Sequence, residues 1–381
     1  MNPIQKYLRN LFAKKRVLGD DPKLGRLSAA DAILCDLVNE NRVPGLAVTV
    51  LKNGKKILQK YYGYADLEKK IPVDPSTTIF RIASVSKPIA ATALAHMVAD
   101  GGIELDASFY KYVPYYPRKQ WDFTIRHLAS HTAGIRGYKG MEYGLNKPCT
   151  IKESIEIFKD DELLFKPGTN YLYNSYDWVL ISLAMQEICG ISFEKYVQEK
   201  VLFPLGMKNT LTPNVSLSAV EGLRNSQEPS RTSMQRVDKV FNLTKFYSKN
   251  RKGFRIATPV NNCYKLAGGG YLSTSEDISK LGQAYLDGKI LNEEILTQFL
   301  TSETVNGQPT YYGLGWQVSE DAHGRPFYGH VGNGIGGYAN FFVYPDQQMV
   351  FSILINCTNP NVQEELDKAV DALIASTNTA L

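Results

Sequence analysis

The pattern of apolar and polar residues predicts β-strands near both ends of the chain. After Pro44-Gly45 the helical period gives way to two strand-like apolar runs, residues 46–51 and 57–64. Between them lies Asn53-Gly54, a residue pair that strongly favours a two-residue hairpin turn. The first part of the chain therefore predicts a β-hairpin.

A second hairpin is predicted near the end of the chain. Residues 338–343 and 349–355 are strand-like and flank a turn-forming segment, residues 344–348. Residues 364–374 then show the period of an amphipathic helix. Because the sheet-forming segments lie at both ends, we expect one antiparallel sheet to which both ends of the chain contribute.

Helical patterns dominate the region between the two hairpins. An Ala-rich apolar helix is predicted over residues 88–99, and residues 100–260 contain mostly helical patches and loops. An earlier helix is predicted to begin at Ser28, which is interpreted as its N-cap. The apolar face of that helix consists of Ile33, Leu34, Leu37 and Val38. The predicted fold class is therefore α/β, in the α+β sense, with helices flanking the sheet and a ligand cleft beside it.

The predicted domain organisation is a short extension followed by one domain. Residues 1–25 are expected to form an N-terminal basic amphipathic extension, and residues 26–375 a single domain. Within that domain the sheet subdomain takes residues 26–87 and 263–375, and the inserted helical subdomain takes residues 88–262.

Two segments carry clusters of basic residues. Residues 3–16 predict a short amphipathic helix that packs on the body of the protein or, alternatively, makes peripheral contact with an anionic membrane surface. Packing on the protein is the favoured interpretation. Residues 225–262 are polar and are interpreted as a solvated loop rather than a binding patch.

The composition is that of a soluble globular protein. Apolar residues make up 44% of the 381 residues and charged residues 21%, which excludes a mainly disordered chain. No apolar run approaches the ~18 residues that a membrane helix needs. The net charge of +5 is too small an excess to predict a nucleic-acid partner.

Cysteine usage and the N-terminus bear on the cellular compartment. The five cysteines are odd in number and widely separated, so neither a disulfide framework nor a zinc site is expected. Charged residues interrupt the apolar residues at the N-terminus, and no secretory pattern is present. A cytoplasmic location is the resulting prediction, although a trimmed exported protein would show the same pattern.

The motif Ser-x-x-Lys, which can supply a nucleophile and its proton partner, occurs three times. The copies lie at residues 84–87, 108–111 and 192–195. Ser192 opens an ordinary amphipathic helix, and Ser108 lies in a Tyr- and Pro-rich segment with no helix after it. Context therefore separates the first copy from the other two.

Ser84 has the surroundings expected of a nucleophile. It follows an apolar stretch, residues 79–83, and precedes a long helix with almost no charges. A serine at such a buried helix N-terminus lies where backbone N–H groups and the helix dipole favour negative charge. Lys87 returns to the same face one turn later, and its burial would lower its pKa enough to exchange a proton with the hydroxyl. A plain N-cap role for Ser84 is the competing interpretation.

Six short motifs follow one another in a recognisable order. They are Tyr-Ala-Asp at 64–66, Arg-Ile-Ala-Ser-Val-Ser-Lys-Pro at 81–88, His-Leu-Ala-Ser-His-Thr-Ala-Gly-Ile at 127–135, Pro-Gly-Thr at 167–169, Pro-Leu-Gly-Met at 204–207 and Gly-Gly-Gly-Tyr-Leu-Ser-Thr at 268–274. Together they resemble the serine β-lactamase-related family of class C β-lactamases, low-molecular-weight penicillin-binding proteins, esterases and D-amino-acid peptidases. The resemblance spans roughly residues 30–375 and implies that family's fold.

The resemblance implies a catalytic serine, its proton partners and no metal or organic cofactor. Ser84 and Lys87 match the nucleophile and its lysine. Tyr173, counted from the Pro-Gly-Thr motif, matches the phenolic base that takes the serine proton and returns it to the leaving group. Ser175 stands where the family usually has a substrate-binding asparagine, and a serine lacks the amide N–H₂ group. Asn174 would compensate only if the loop were rotated.

The family's Lys-Thr-Gly strand, often His-x-Gly, matches His330-Val331-Gly332. Gly332 would let the substrate backbone approach closely. The resemblance places the oxyanion hole at the backbone N–H groups of Ser84 and Asn333. With a reference pKa of ~6.5, His330 is largely neutral at pH 7, and Val331 has no hydroxyl. Selection for a substrate carboxylate is therefore expected to be weak.

The leading functional prediction is a serine hydrolase that forms an acyl-enzyme on a small-molecule or peptide ester or amide. A penicillin-binding-protein-like esterase or peptidase ranks above an efficient β-lactamase, with β-lactams as weaker substrates. The alternative is a β-lactam-binding, peptide-binding or scaffold protein that keeps the fold with a weakened site. His127 and His131 are interpreted as structural residues.

Overall fold

The computed structural model describes residues 27–213 and 242–378. The basic pattern at residues 3–16 lies outside this part of the chain, so its membrane contact stays a prediction, as does the cellular location. Among the helices that the structure describes, none has the length and apolar character needed to cross a membrane.

Both predicted hairpins are present, which confirms this part of the sequence analysis. The first joins β1 (Gly45–Lys52) to β2 (Lys55–Asp66) through Asn53-Gly54, whose φ angles of 49° and 71° are those that this turn requires. The later strands, in chain order, are β3 (Ile71–Pro72), β4 (Phe80–Arg81), β5 (Tyr247–Asn250), β6 (Gly253–Ile256), β7 (Leu272–Ser273), β8 (Thr304–Val305), β9 (Gln308–Pro309), β10 (Gln317–Glu320), β11 (Pro326–Gly334), β12 (Gly337–Tyr344) and β13 (Met349–Ile355). The second hairpin is β12 and β13.

The main sheet has seven antiparallel strands in the order β10-β11-β12-β13-β1-β2-β3. At its centre β1 pairs with β13, with Leu46 opposite Ile355 and Lys52 opposite Met349. This pairing, called here the β1–β13 seam, joins strands from the beginning of the chain to strands from its end. The prediction of one antiparallel sheet built from both chain ends is confirmed.

Helices cover both faces of the sheet. In chain order they are α1 (Ser28–Asn39), α2 (Ser86–Ala99), α3 (Ile125–Ala129), α4 (Ile151–Ser154), α5 (Tyr176–Cys189), α6 (Phe193–Val197), α7 (Ser275–Leu286), α8 (Glu293–Leu300) and α9 (Gln363–Asn378). The predicted N-cap at Ser28 is wrong, because Leu27 holds that position and no side chain caps the helix. Ser28 is instead the first helical residue.

Two apolar cores follow from this layering, one on each face of the sheet. On the outer face α1 and α9 pack against residues such as Val48 and Phe351. On the inner face lie α2, α5 and α7, and a Cβ at Gly282 would be 2.5 Å from the Cγ1 atom of Val350. The helix α7 thus packs directly on the inner face of the sheet. The helix α2 is buried in the same layer.

We predicted a solvated loop over the polar residues 225–262. Residues 225–241 lie outside the described part of the chain, and the remainder differs in part from that prediction. Residues 242–262 contain the short hairpin of β5 and β6. Tyr247 is its buried residue, and the Tyr247 hydroxyl donates to Oε2 of Glu68 at 2.7 Å. Because most of the other side chains in this hairpin face solvent, its sequence shows no apolar alternation.

Candidate active site

Ser84 lies in a tight 3₁₀ turn, Ala83–Val85, between β4 and α2. Ala83 has a φ angle of 46°, in the left-handed region that non-glycine residues rarely adopt. The turn reverses the chain sharply, and α2 begins two residues after the serine, at Ser86. Ser84 is partly exposed and precedes the helix, whereas we expected it at a buried helix N-terminus.

Lys87 points from the first turn of α2 into the protein and is fully buried. Its Nζ atom lies 2.8 Å from the carbonyl oxygen of Gly268, 2.7 Å from the hydroxyl oxygen of Tyr173 and 3.3 Å from Oγ of Ser84. Burial lowers the pKa of Lys87 to about 7; the nearby positive charge of Lys265 adds to this decrease, and Asp177 opposes it. A neutral amine is therefore accessible near pH 7.

Tyr173 completes the group of three side chains. Its hydroxyl donates to Oγ of Ser84 at 2.8 Å, and the residue as a whole is 39% exposed. Desolvation raises the pKa of Tyr173 above its ordinary value, so the phenol keeps its proton at neutral pH. The structure thus brings Ser84, Lys87 and Tyr173 into mutual hydrogen-bonding distance.

A buried pair of polar side chains, His131 and Asp177, packs against the segment that carries Tyr173. His131 Nδ1 lies 2.7 Å from Oδ2 of Asp177, and the His131 ring centroid is 4.6 Å from that of Tyr173. Burial raises the pKa of Asp177 and lowers that of His131, which favours the neutral form of each. His131 thus has the structural role that we expected, directly beneath the phenol.

Asn174 does not take the place of the asparagine that the family pattern expects at Ser175. Asn174 is buried, and its Nδ2 atom donates to Oδ2 of Asp177 at 2.7 Å. Its Oδ1 atom accepts the backbone N–H of Asp177 at 2.9 Å. Because this amide is used to hold the loop, the suggested compensation is wrong, and Ser175 alone faces the cleft at that position.

His330 lies in β11 and is buried rather than exposed to the cleft. Its Nε2 atom is 3.0 Å from the Tyr312 hydroxyl, and its Nδ1 atom is 2.7 Å from the carbonyl oxygen of Val331. Burial, together with the charge of Lys87, lowers the pKa of His330 to about 3. The imidazole is therefore neutral at pH 7 and supplies no standing positive charge.

Gly332 brings β11 directly against the Ser84 turn. A Cβ at position 332 would lie 2.2 Å from the carbonyl oxygen of Ile82 and 3.2 Å from the backbone nitrogen of Ser84. Only glycine permits this approach without a shift of the backbone. The next residue, Asn333, lines the cleft, and its carbonyl oxygen accepts the Tyr143 hydroxyl at 3.3 Å.

The cleft beside Ser84 has a volume of about 370 Å³, part of it open to solvent. Its lining residues come from the Ser84 turn, from the aromatic segment before α4, from the Gly-Gly-Gly motif and from the end of β11. They are Ala83, Ser84, Tyr138, Tyr143, Ser175, Val260, Asn262, Lys265, Gly268, Gly269, Asn333, Gly334 and Ile335. The predicted residues Ser84, Ser175 and Asn333 are therefore brought together.

Several lining residues of the cleft were not predicted from the sequence, among them Tyr138, Tyr143 and Lys265. Tyr138 and Tyr143 belong to a loop without periodicity, and Lys265 immediately precedes the segment Leu-Ala-Gly-Gly-Gly. The glycine motif was noted, but a single lysine next to it gave no signal. The distance in sequence between residues 138 and 265 hides their proximity.

The other two Ser-x-x-Lys copies are structural. Ser108 donates to Oδ1 of Asp122 at 2.7 Å, and Lys111 is exposed and pairs with Glu104. Ser192 caps α6 by accepting the backbone N–H of Lys195, which confirms the predicted helix start. Neither copy has a buried lysine.

His127 supports the start of α3, as expected of a structural residue. Its Nδ1 atom accepts the backbone N–H of Thr124 at 3.2 Å, and the Thr124 hydroxyl accepts the backbone N–H of His127. Within residues 27–213 and 242–378, no group of three or more His, Cys, Asp or Glu side chains is arranged to hold a metal ion.

Comparison with known proteins gives consistent results. The family model described as Beta-lactamase matches residues 30–376. The serine beta-lactamase-like protein LACTB, mitochondrial, of Homo sapiens is 27% identical over an alignment of 412 positions, gaps included, that covers 83% of this chain and 71% of that protein.

Solved structures share the fold. D-amino acid amidase from Ochrobactrum anthropi SV3, complexed with L-phenylalanine amide, superposes with a TM-score of 0.76 at 21% identity, covering 93% of this chain and 99% of the amidase. The octameric penicillin-binding protein homologue from Pyrococcus abyssi gives a TM-score of 0.72 at 24% identity. The superposition covers 91% of this chain and 77% of the homologue. At these identities the likeness concerns the fold alone, and it confirms the predicted fold class.

Proposed function

Because the chain belongs to the beta-lactamase family of serine hydrolases, we propose that it hydrolyses an ester or amide through a covalent acyl-enzyme at Ser84. One observation carries this proposal. The Oγ atom of Ser84 lies 2.8 Å from the Tyr173 hydroxyl and 3.3 Å from the Nζ atom of a buried Lys87. A serine with two such neighbours at the edge of a cleft is arranged as an activated nucleophile.

In the first step Ser84 attacks the substrate carbonyl carbon, and its proton passes to the neutral amine of Lys87. With a pKa of about 7, that amine is a base matched to neutral pH. Tyr173, whose pKa is raised, serves as a relay rather than as a phenolate base: it donates toward Oγ in the ground state and passes protons between Lys87 and the reacting oxygens. Breakdown of the tetrahedral intermediate releases the alcohol or amine, which takes that proton.

The negative charge of the tetrahedral intermediate needs donors beside Ser84. We propose the backbone N–H groups of Ser84 and Asn333 for this role. The close approach of Gly332 to the Ser84 nitrogen supports the proposal, because it brings the β11 backbone to the nucleophile. In the second step water attacks the acyl-enzyme carbonyl, gives up its proton to the same relay, and releases the acid and free Ser84.

Ester and peptide substrates are favoured over β-lactams. A neutral, buried His330 offers no fixed charge to the carboxylate that penicillins carry next to the lactam ring. Ser175 is shorter than the asparagine that the family uses to contact a substrate amide. An esterase or peptidase with slow β-lactam acylation is therefore the proposed activity.

Intact-protein mass spectrometry tests the proposal directly. The protein is incubated with a para-nitrophenyl ester and, separately, with a cephalosporin. We expect ester turnover with a transient adduct, and a more persistent cephalosporin adduct, that peptide mapping assigns to Ser84. The proposal fails if neither compound leaves an adduct or a product. An adduct without turnover from both compounds would favour the alternative of a binding protein that keeps the fold.

The pH dependence of activity should report the Lys87 amine. We expect kcat/KM for a neutral ester to rise with pH along a limb whose midpoint is near 7, because only the deprotonated amine accepts the Ser84 proton. His330, with a pKa of about 3, does not titrate in this range. Initial rates, corrected for spontaneous hydrolysis, are measured between about pH 5.5 and about pH 9.

Lys265, with a pKa of about 8, is the other lysine that titrates in that range, and its removal is the control. In Lys265→Met the limb should persist and move to higher pH, because the charge of Lys265 lowers the pKa of Lys87. A limb that disappears in this variant, or a midpoint above about 9 in the unmodified protein, would contradict the assignment to Lys87.

A further inference from the structure

Lys265 is a buried cation at the edge of the cleft. Lys265 is 6% exposed, and its Nζ atom donates to the carbonyl oxygen of Tyr143 at 3.2 Å. Within residues 27–213 and 242–378, this carbonyl is the hydrogen-bond partner of the Nζ atom, and no ion pair with an Asp or Glu is present. A buried ammonium group without a carboxylate is uncommon, because desolvation of the charge is unfavourable.

Aromatic rings hold the ammonium group in place. The Nζ atom lies 5.0 Å from the ring centroid of Tyr138, 5.6 Å from that of Tyr143 and 5.5 Å from that of Tyr264. Cation–π attraction to these rings offsets part of the desolvation and fixes the position of the charge. Within the part of the chain that the structure describes, one carbonyl accepts one of the three N–H bonds of the ammonium group, which leaves donors for a ligand.

Among the described residues that line the cleft, none carries a negative charge. None of them is an Asp or a Glu, whereas Lys265 belongs to the lining. A second cation, Arg81, donates to the carbonyl oxygen of Ile335 at 2.8 Å and stacks on Phe246 at 4.0 Å. The field in the cleft is therefore positive beside Ser84, and a ligand with a negative group would complement it.

The position of Lys265 along the cleft indicates which part of a substrate it would meet. Lys265 precedes Gly268 by three residues, and a Cβ at Gly268 would lie 3.1 Å from Cβ of Ser175. Ser175 occupies the place where the family contacts the acyl side of its substrates. The ring of Tyr138 lies 5.0 Å from the Nζ atom of Lys265, and the Tyr138 hydroxyl is hydrogen-bonded to the Ser175 side chain. Lys265 is therefore on the Ser175 side of the cleft and on a different element from His330.

We propose that the Lys265 ammonium group binds a carboxylate on the acyl portion of the substrate. This inference rests on the proposed function and names its substrate class: esters or amides of acids that carry a second, negatively charged carboxylate. Burial and the charge of Arg81 lower the pKa of Lys265 to about 8, and the group remains mostly charged at pH 7. The charge that His330 does not supply is then provided from another element.

Two esters of equal chain length test the proposal by turnover. The para-nitrophenyl monoester of adipic acid carries a carboxylate at the end of its acyl chain, and para-nitrophenyl hexanoate carries a methyl group. We expect a higher kcat/KM for the monoester, and we expect Lys265→Met to reduce the ratio of the two kcat/KM values about tenfold or more. Lys265→Arg should keep most of the ratio.

The matched control for net charge is Lys289→Met, which removes an exposed lysine from the loop between α7 and α8. It should leave the ratio of the two kcat/KM values as it is in the unmodified protein. An unchanged ratio in Lys265→Met, or an equal loss in Lys289→Met, overturns the inference.

A binding measurement separates this inference from the proposed function. NMR titration compares the binding of adipic acid monoanilide, which keeps one free carboxylate, with that of hexananilide. Both are titrated into Ser84→Ala protein with and without Lys265→Met. We expect Lys265→Met to weaken binding of the charged anilide about tenfold and that of the neutral anilide much less. Equal weakening, or none, overturns the inference even if both esters are hydrolysed. If the unmodified protein does not hydrolyse the esters, the proposed function is refuted. The binding measurement still decides whether Lys265 binds the carboxylate, because it does not depend on turnover.

Discussion

Replacing Ser84 by alanine is expected to lower kcat/KM for a reactive ester by about 10⁴-fold or more, and Lys87→Met should come within about tenfold of that loss. Alanine removes the only atom that forms the acyl bond. Methionine fills the buried space of Lys87 but removes the amine that lies 3.3 Å from Oγ of Ser84. Stopped-flow or steady-state ester hydrolysis measures both losses.

The two losses should not add. Because nucleophile and base act as one unit, the double variant Ser84→Ala/Lys87→Met should be no slower than Ser84→Ala alone, within about threefold. Lys111→Met is the matched control: it alters a Ser-x-x-Lys copy whose lysine is exposed and paired with Glu104. Retention of more than about a tenth of the activity in Lys87→Met, with the fold intact by circular dichroism, would contradict the role of Lys87 as base.

Tyr173→Phe is expected to lower kcat/KM by about 10²- to 10⁴-fold. The substitution keeps the ring, with its 4.6 Å approach to His131, and removes only the hydroxyl that joins Ser84 to Lys87. The loss should be larger for amides than for para-nitrophenyl esters, because a poor leaving group depends more on proton delivery. Steady-state kinetics with an ester and the matching anilide measure this difference.

Tyr171→Phe provides the control for this variant. Tyr171 lies two residues before Tyr173, and its ring centroid is 6.2 Å from that of His131. We expect it to retain activity within about threefold of the unmodified protein, since no described hydrogen bond joins its hydroxyl to Ser84 or Lys87 and its ring is kept. If both phenylalanine variants lost activity equally, the effect would belong to the packing of the loop and not to the Tyr173 hydroxyl.

Much of the fold could be predicted because its central strands are long and apolar. The hairpin at Asn53-Gly54 and the later one around residues 344–348 each have a turn signal between apolar runs, and both are present. The hairpin at residues 247–256 could not be predicted, because its short strands expose most of their side chains. The cap at Ser28 was misplaced by one residue, since a serine within the first turn has the same local pattern as a serine before it.

Only part of the predicted site follows from a local pattern. Ser84 and Lys87 are three residues apart, one in the 3₁₀ turn and the other in the first turn of α2, and their spacing in sequence indicated that they would meet. Tyr173 was found only by counting from a motif, and the inward direction of Asn174 depends on Asp177, which the sequence did not single out. Lys265 was missed for the same reason: its importance comes from a cleft that segments distant in sequence form together.

The seam between β1 and β13 has a consequence for biosynthesis. During translation the N-terminal hairpin leaves the ribosome long before its partner strand exists, and β11, which carries Gly332, becomes available almost as late. Contacts of such high sequence separation close slowly, so the nascent chain exposes one edge of β1 for most of its synthesis. Chaperone binding to that unpaired edge, and loss of the nucleophile's environment in any chain that terminates before residue 355, are the expected results.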